Sequence, residues 1–423
     1  MHLTTIDWLT TLKTTNTPNV DDCIAHLGDI FPLLKEYKNT IQDPVWHAEG
    51  DVHIHTDMVL TELYKLLESK EWERCNQPNF RRILILAALL HDYGKPSTTF
   101  TCKETGRIKA SKHEEVGRNL LVLPLLELDL PQHEYLQILN LVGLHQRPKL
   151  LVIKDEPMYK YLALNENFFI DLMYILELAD LRGRTCIDKE ESIMYLEEWY
   201  KKAKEYCKDQ TDQLVNINSM INTAMHKVGR DDLATGLDSY SFYVGMYQYH
   251  NNIIPTLYDA MEKYKGYINP HFNVVLTCGL SATGKSTYIK QHYPDYHIIS
   301  MDVIREELCN GNRSDQSKNK EVAVIAKERF KECLRKKQNV VWDATNLRKE
   351  YREQLITLSH NYNALTHLIV FLDKEKNIKK KDKERKWSVS DSIIDKQIKS
   401  WQFPFFNETH IVKYIHMYKE NKN

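Results

Sequence analysis

One junction constrains the fold of this chain more than any other. The short β-branched run Asn273-Val274-Val275-Leu276-Thr277 leads directly into Gly279-Leu280-Ser281-Ala282-Thr283-Gly284-Lys285-Ser286. A glycine, four residues, then Gly-Lys-Ser between a strand and a helix is a phosphate-binding loop. Its glycines let the backbone turn tightly and aim N–H groups at phosphate oxygens, and the following helix adds its positive N-terminal end. Gly279, Ser281, Thr283, Gly284, Lys285, Ser286 and Thr287 are therefore the expected contacts to ATP or another NTP. Lys285 would neutralise the β- and γ-phosphates and Ser286 would ligate Mg²⁺. The loop needs a strand before it and a helix after it, so the C-terminal third has to be α/β.

Other runs agree. His297–Ser300, Asn339–Trp342 and Ala364–Leu372 are apolar, β-rich segments, and 318–337 between two of them has helical periodicity. Strands alternating with helices predict a parallel sheet with right-handed crossovers. The first 265 residues differ: Met58–Ser69, Arg81–Leu90, Glu134–Leu144 and Phe169–Leu181 repeat apolar residues every three or four positions, as helices do. At 423 residues the chain is too long for one core. The expected layout is multidomain: an all-α domain over 20–190, a helical extension over 191–268, and an α/β domain with a parallel sheet over 269–423. Tyr240, Tyr243, Tyr247 and Tyr249 in the extension read as helix packing.

The net charge of −1 hides an asymmetry. Residues 271–423 hold 28 basic and 19 acidic side chains, leaving 29 and 39 for the rest. A basic C-terminal domain suits a polyanionic substrate, although a solvated lysine face would give the same count. No apolar run approaches the roughly 18 residues of a membrane helix. The opening stretch Met1–Lys13 lacks a basic-then-apolar signal, and the eight cysteines form no CxxC pair. The expectation is a cytoplasmic protein without a membrane partner.

Two constellations carry chemistry. In the C-terminal third, Met301-Asp302-Val303-Ile304-Arg305 follows a strand, where ligands bind in open sheets. Asp302 can take a proton from an attacking hydroxyl and Arg305 can clamp a phosphate; a helix-capping aspartate with a solvated arginine is the plain alternative. Trp342-Asp343-Ala344-Thr345-Asn346 ends the next strand. Asp343 can hold Mg²⁺ through water, and Thr345 and Asn346 can bind acceptor or strand-end backbone. The run Lys379-Lys380-Lys381-Asp382-Lys383-Glu384-Arg385-Lys386 reads as a basic lid helix, offering Arg385 and Lys381 to the transferring phosphate. Loop, Asp-x-x-Arg, Asp-x-Thr-Asn and basic lid, in that order, resemble the 5′-hydroxyl polynucleotide kinases over about 150 residues. The resemblance implies that Asp302 is the general base on a 5′-OH, that Arg305 contacts the acceptor phosphate and that Arg385 contacts ATP. Lys381 stands where that family often has a second arginine.

In the N-terminal half, His91-Asp92 sits in Leu89-Leu90-His91-Asp92-Tyr93-Gly94-Lys95-Pro96. Upstream lies His47-Ala48-Glu49-Gly50-Asp51-Val52-His53-Ile54-His55; downstream come His113, His145-Gln146-Arg147-Pro148 and Asp180-Leu181-Arg182-Gly183-Arg184. His…His-Asp…His…His…Asp on helices resembles the HD-domain phosphohydrolases across 45–185. The resemblance implies one metal on His55, His91, Asp92 and Asp180, and a second on His113 and His145 with Asp92 bridging. His55 fits the motif spacing better than His47 or His53. Lys95, Arg182 and Arg184 would hold substrate phosphate. An N/O donor set accepts one or two ions of Mn, Fe, Co, Ni or Zn.

Together the two halves resemble the HD-Pnk family of end-healing enzymes. That resemblance implies a kinase for 5′-OH ends and a hydrolase for 2′,3′-cyclic, 2′- or 3′-phosphate ends, acting on RNA or DNA and leaving the sealing to a separate ligase. The alternatives are a nucleotide phosphohydrolase fused to a small-molecule or nucleoside kinase, and a regulatory protein whose HD site only binds.

Overall fold

The computed structural model describes residues 4–207, 221, 225, 239–263, 272–313, 315 and 317–420. The chain divides into two compact units, Met1–Ala224 and Met225–Asn423. Part of the segment 191–268 lies outside the described residues.

In the first unit seven helices matter for the site: α1 Val52–Glu68, α2 Pro78–Leu90, α3 His113–Leu121, α4 Gln132–Leu144, α5 Arg147–Ile153, α6 Ile170–Arg182 and α7 Lys189–Tyr206. The sequence starts them by ordinary means. The Asp51 carboxylate accepts the Ile54 N–H at 2.8 Å to cap α1, and Pro78 opens α2, where its missing N–H costs nothing. Helices α2 and α6 are buried all round: Arg81 to Leu90 and Leu172 to Leu181 have no exposed member. A helix apolar on every face belongs in the centre of a core. The polar residues at the ends of α2 and α6 are therefore buried by the fold itself.

The helical reading holds with one addition, an antiparallel hairpin of β1 Thr99–Thr101 and β2 Ile108–Ala110. Strands of three residues carry almost no alternation signal, which is why periodicity passes over them.

The second unit is a five-stranded, all-parallel sheet in the order β4-β5-β3-β6-β7, made of β3 Asn273–Cys278, β4 His297–Ser300, β5 Val340–Asp343, β6 Leu365–Leu372 and β7 Ile411–His416. Strand β7, with only Tyr414 and His416 buried, has a weaker apolar pattern and was not expected. The helices of this unit include α8 Ser239–His250, α9 Leu257–Glu262, α10 Lys285–His292, α11 Met301–Leu308, α12 Asn319–Arg335, α13 Lys349–His360, α14 Glu375–Lys383 and α15 Asp391–Ser400. Helix α8 belongs here because the Tyr240 ring packs against His360 and His410, with centroids 4.6 and 5.2 Å apart. The structural division thus falls before the composition change near Gly266. Beneath α10, Val275, Ile289, Val341, Ile369 and Phe371 form a buried cluster that fixes the phosphate loop on the central strand.

No described helix is long and apolar enough to cross a membrane.

Arg352 ties the far edge of this sheet together. Its fully buried guanidinium is bidentate to Glu408, at 2.7 and 2.9 Å, and donates to the Asn346 and Leu347 carbonyls at 3.0 Å each. Arg352→Ala leaves a buried carboxylate and two carbonyls without their donor, at a cost of about 3–5 kcal/mol. Hydrogen exchange should show protection lost in β5, β6 and β7 and unchanged in α2 and α6. Apolar replacement of both Arg352 and Glu408 should cost less than either single change.

Candidate functional site

Six residues from five helix ends or faces converge in the first unit. His55 lies on α1, His91 and Asp92 follow α2, His113 begins α3, His145 caps α4 and Asp180 lies on α6. All are buried. The ligand atoms of His55, His91 and Asp180 lie within 4.8 Å of one another, and those of Asp92, His113 and His145 form a second such triad. Asp92 faces both: Oδ2 is 3.2 Å from His91 Nε2, and Oδ1 is 3.2 Å from His113 Nε2.

The tautomers follow from the backbone. The Nδ1 atoms of His91, His113 and His145 meet the carbonyls of Ala88, Ala110 and Val142 at 2.7, 2.9 and 2.7 Å. A carbonyl only accepts, so each Nδ1 carries the proton and each Nε2 presents a lone pair. His55 Nδ1 sits 3.0 Å from the Glu49 carboxylate, which sets its Nε2 the same way. That leaves His55 Nε2 and His91 Nε2 facing each other at 3.3 Å. Two lone pairs at that separation repel unless a cation lies between them. Both Asp92 oxygens, Asp180 Oδ1, His113 Nε2 and His145 Nε2 are buried without an aligned hydrogen bond, although they lie close together. They point at shared centres rather than at one another, and imidazole with carboxylate is the donor set of a divalent transition metal. The cluster fits the group expected from the sequence.

Electrostatics agree. Burial alone would raise Asp92, but in the absence of a metal Asp92 also raises the pKa of His91, and the charged His91 ring together with Lys95 holds the carboxyl well below the usual range; a metal ion would take the place of that His91 proton. Burial would raise Asp180 too, and Arg184, 2.8 Å away, reverses it. Burial keeps His145 neutral, with its pKa well below the ordinary value.

A close backbone crossing sets the spacing between Asp92 and His113. A Cβ on Gly94 would meet the His113 carbonyl oxygen at 2.1 Å, and one on Gly117 would meet the Gly94 nitrogen at 2.9 Å. Only glycine on both sides lets α3 approach the turn after α2 so closely.

A cavity of about 720 Å³ opens onto the cluster, lined by His47, Lys95, His113, Lys149 and Arg184 among others. Its size suits a nucleotide. Lys95 Nζ is 2.8 Å from Asp92 Oδ2 and also donates to Gln42. Arg182 does not reach this space: it is exposed on α6, two residues round the helix from the face that carries Asp180 and Arg184. His53 pairs with Asp21 at 3.0 Å, away from the cluster. His47 is nearer than the motif suggested, with Nδ1 2.8 Å from Glu49 and Nε2 3.5 Å from Lys95 Nζ. Burial lowers its pKa to about 3.

The second unit assembles its site at the carboxyl ends of β3, β4 and β5. The Ser286 hydroxyl donates to Asp343 Oδ2 at 2.8 Å, which pairs the two groups expected around Mg²⁺. Thr287 lies in the same first turn. Lys285 Nζ folds onto the Gly279 and Leu280 carbonyls at 3.1 and 2.6 Å, and burial lowers its pKa to about 8. The buried Thr283 hydroxyl closes the loop onto the Leu280 carbonyl at 2.8 Å. Asp302 lies in the first turn of α11, where Ser300 is the cap, so it is not the capping aspartate. Its side chain is 57% exposed and accepts from Arg305 at 2.7 Å.

Four of the expected residues are placed more finely here. Asn346 is buried and donates to the Thr277 carbonyl at 2.7 Å, so of its two expected roles the structure gives it the strand-end one. Thr345 gives its carbonyl to Gly279 N–H at 3.0 Å, so its backbone shapes the loop. The basic lid is not one helix: α14 ends at Lys383, and Arg385 lies in the turn beyond, which Asp382 organises by accepting from Ser388, Val389 and Ser390. Lys381 is held by buried Asp373 at 2.7 Å rather than aimed at the loop.

Sequence reasoning missed four site residues. Glu49 had a signal, a carboxylate amid three histidines. Glu177 had a fainter one, a carboxylate one turn from Asp180 on an otherwise apolar helix. Lys149 had none. Gln397 on α15 accepts from Ser281 N–H and donates to its hydroxyl, both at 2.8 Å, and no local pattern marks it.

Comparison with known families accords with this geometry. The HD domain family matches residues 52–180, ending on Asp180. The AAA domain family matches residues 274–404, from the strand before the phosphate loop to beyond α15. The chain joins an HD domain to a P-loop kinase-like domain. No curated protein matches it. The HD half is a candidate divalent-metal site of phosphohydrolase type, and the kinase-like half is a nucleotide-binding site.

Glu177 supplies a pH prediction. Its carboxyl is fully buried, neither oxygen has a hydrogen bond, Lys149 is 3.8 Å away, and burial pushes its pKa up to about 8. A carboxyl raised above its unfolded value destabilises the fold as pH climbs past the unfolded pKa, until pH reaches the folded one. Glu177→Gln removes that charge. In metal-free protein the variant should gain stability over the parent between pH 5 and 8, by on the order of a few kcal/mol at pH 8 in chemical denaturation. A gap that stays constant with pH would contradict the assignment.

Proposed function

We propose that the chain is a bifunctional nucleic-acid end-healing enzyme: the P-loop half phosphorylates 5′-OH ends, and the HD half removes 2′,3′-cyclic, 2′- or 3′-phosphates. The observation that carries this reading is the joining in one chain of two sites whose chemistries complement each other. One site has a nucleotide-sized cavity with cations set over a histidine–aspartate cluster. The other has a solvent-facing Asp302, paired with Arg305, in the strand-end site that holds the phosphate loop. Ribonucleases that use the 2′-OH leave a 5′-OH and a cyclic phosphate, and a ligase then needs both ends changed.

In the kinase half the NTP phosphates would bind the loop N–H groups and Lys285, with Mg²⁺ on Ser286 and Asp343. Arg305 would hold an acceptor phosphate, leaving Asp302 free to accept the 5′-OH proton. The nucleophilic O5′ bonds to the γ-phosphorus as its bond to the β-phosphate oxygen breaks, and the nucleoside diphosphate leaves. Arg385, in its turn, can swing onto the transferring group.

In the HD half His55, His91 and Asp180 would hold one metal, and His113 and His145 a second, with Asp92 shared. Such ions would supply Lewis acidity there, making a bound water more acidic and offsetting charge on the phosphate ester. Lys95 and Arg184 would bind the phosphate oxygens. Lys95 is held ready by Gln42, and Arg184 by Asp180. Water adds to phosphorus, the P–O bond to the ribose breaks, and the ribose oxygen takes a proton.

A short RNA with a 5′-OH and a 2′,3′-cyclic phosphate, incubated with ATP, Mg²⁺ and Mn²⁺, should gain phosphate at one end and lose it at the other by mass spectrometry. Asp302→Ala should slow 5′ phosphorylation by about 10²–10⁴-fold and spare end hydrolysis. Asp92→Ala should do the reverse, with hydrolysis falling by about 10²-fold or more. An RNA unchanged at both ends defeats the proposal.

A further inference from the structure

We propose that Trp46 is the stacking platform for the terminal nucleobase of the strand whose end phosphate the HD site hydrolyses; this rests on the end-healing reading above. Trp46 lines the HD cavity and is 46% exposed. Two aliphatic side chains of the same cavity, Ile41 and Ile153, are 53% and 52% exposed. Packing covers only part of Trp46, and with Ile41 and Ile153 the exposed part forms an apolar patch beside the cluster, of the kind that marks a contact surface.

The indole is exposed but its backbone is fixed. Trp46 N–H and His47 N–H both donate to the Asp43 carbonyl, at 3.1 and 2.8 Å. The Asp43 carboxylate in turn accepts from Arg107 and from the Val45 and Ile108 N–H groups. Ala48 N–H is held by the Thr185 carbonyl at 2.9 Å. A ring on a pinned turn loses little entropy when a flat partner stacks on it.

Position names that partner. The next residue, His47, packs its ring edge-on against His55, centroids 4.8 Å apart, so the platform adjoins the cluster through a single peptide link. Lys95, Lys149 and Arg184 line the same cavity and supply positive charge for a phosphate. An occupant must therefore be anionic at its deep end and flat and apolar at the mouth, within the space of one nucleotide. A nucleobase joined through its ribose to a terminal phosphate meets all three demands, and any base has a face to stack.

The test uses the metal-loaded enzyme and two 3′-phosphorylated oligonucleotides, identical except that one has an abasic terminal residue. Trp46→Ala should raise KM for the base-bearing strand by about 5- to 100-fold, with kcat within about twofold. It should leave KM for the abasic strand unchanged, and Trp46→Phe should restore most of the loss. Equal effects on both strands, or none on either, overturn the platform. Wild-type enzyme that hydrolyses both strands with the same KM overturns the platform alone. Wild-type enzyme that hydrolyses neither overturns the end-healing reading and the platform with it.

Discussion

Buried charge organises the first unit. Two aspartates and four histidines lie at the centre of a helical core, with their lone pairs turned on shared points. Such an arrangement is costly unless cations enter it. Lys95 and Arg184 meet part of that demand from the cavity side. The rest falls to whatever the nitrogens and carboxylates bind. Two of the helices that carry the cluster, α2 and α6, are buried on every side, and a cavity lined by Lys95, His113 and Arg184 opens beside it.

The second unit meets a similar problem with a different device. Here charge is handled at the carboxyl end of the central strand, by a loop that offers N–H groups and a lysine that folds onto backbone carbonyls. The Ser286–Asp343 pair is made from the first turn after the loop and the end of the neighbouring strand. Its geometry depends on the parallel register of β3 with β5, and Arg352, paired with Glu408, holds the Asn346 and Leu347 carbonyls just beyond β5. Gln397 adds a contact to the loop from a helix more than a hundred residues later in the chain.

Much of this was legible in the sequence because the signals are local. The phosphate loop announces its strand and helix, and β4 was read to its ends. The histidine and aspartate motifs named residues that the fold brings into two triads. What the sequence hid was long-range or one-sided. Asn346 suited either an acceptor or strand-end backbone, and only the fold shows its amide donating to Thr277 on the neighbouring strand. Arg182 and Arg184 were indistinguishable until helical phase put only the second beside Asp180. Lys381 has a partner in Asp373 that no spacing rule selects. Glu177 and Lys149 meet only in three dimensions. Strand β7 and the hairpin at 99–110 were too weakly patterned to stand out.

The crossing of Gly94 and Gly117 has a consequence for how this protein can change over generations. Main chain rests on main chain there, so no rotamer elsewhere can compensate for an added methyl group. The distance between Asp92 and the histidine opening α3 is thus a property of two residues that belong to neither triad. Ligand side chains can be exchanged one at a time, retuning which ion is preferred. The two glycines can only be kept, or lost together with the spacing they impose.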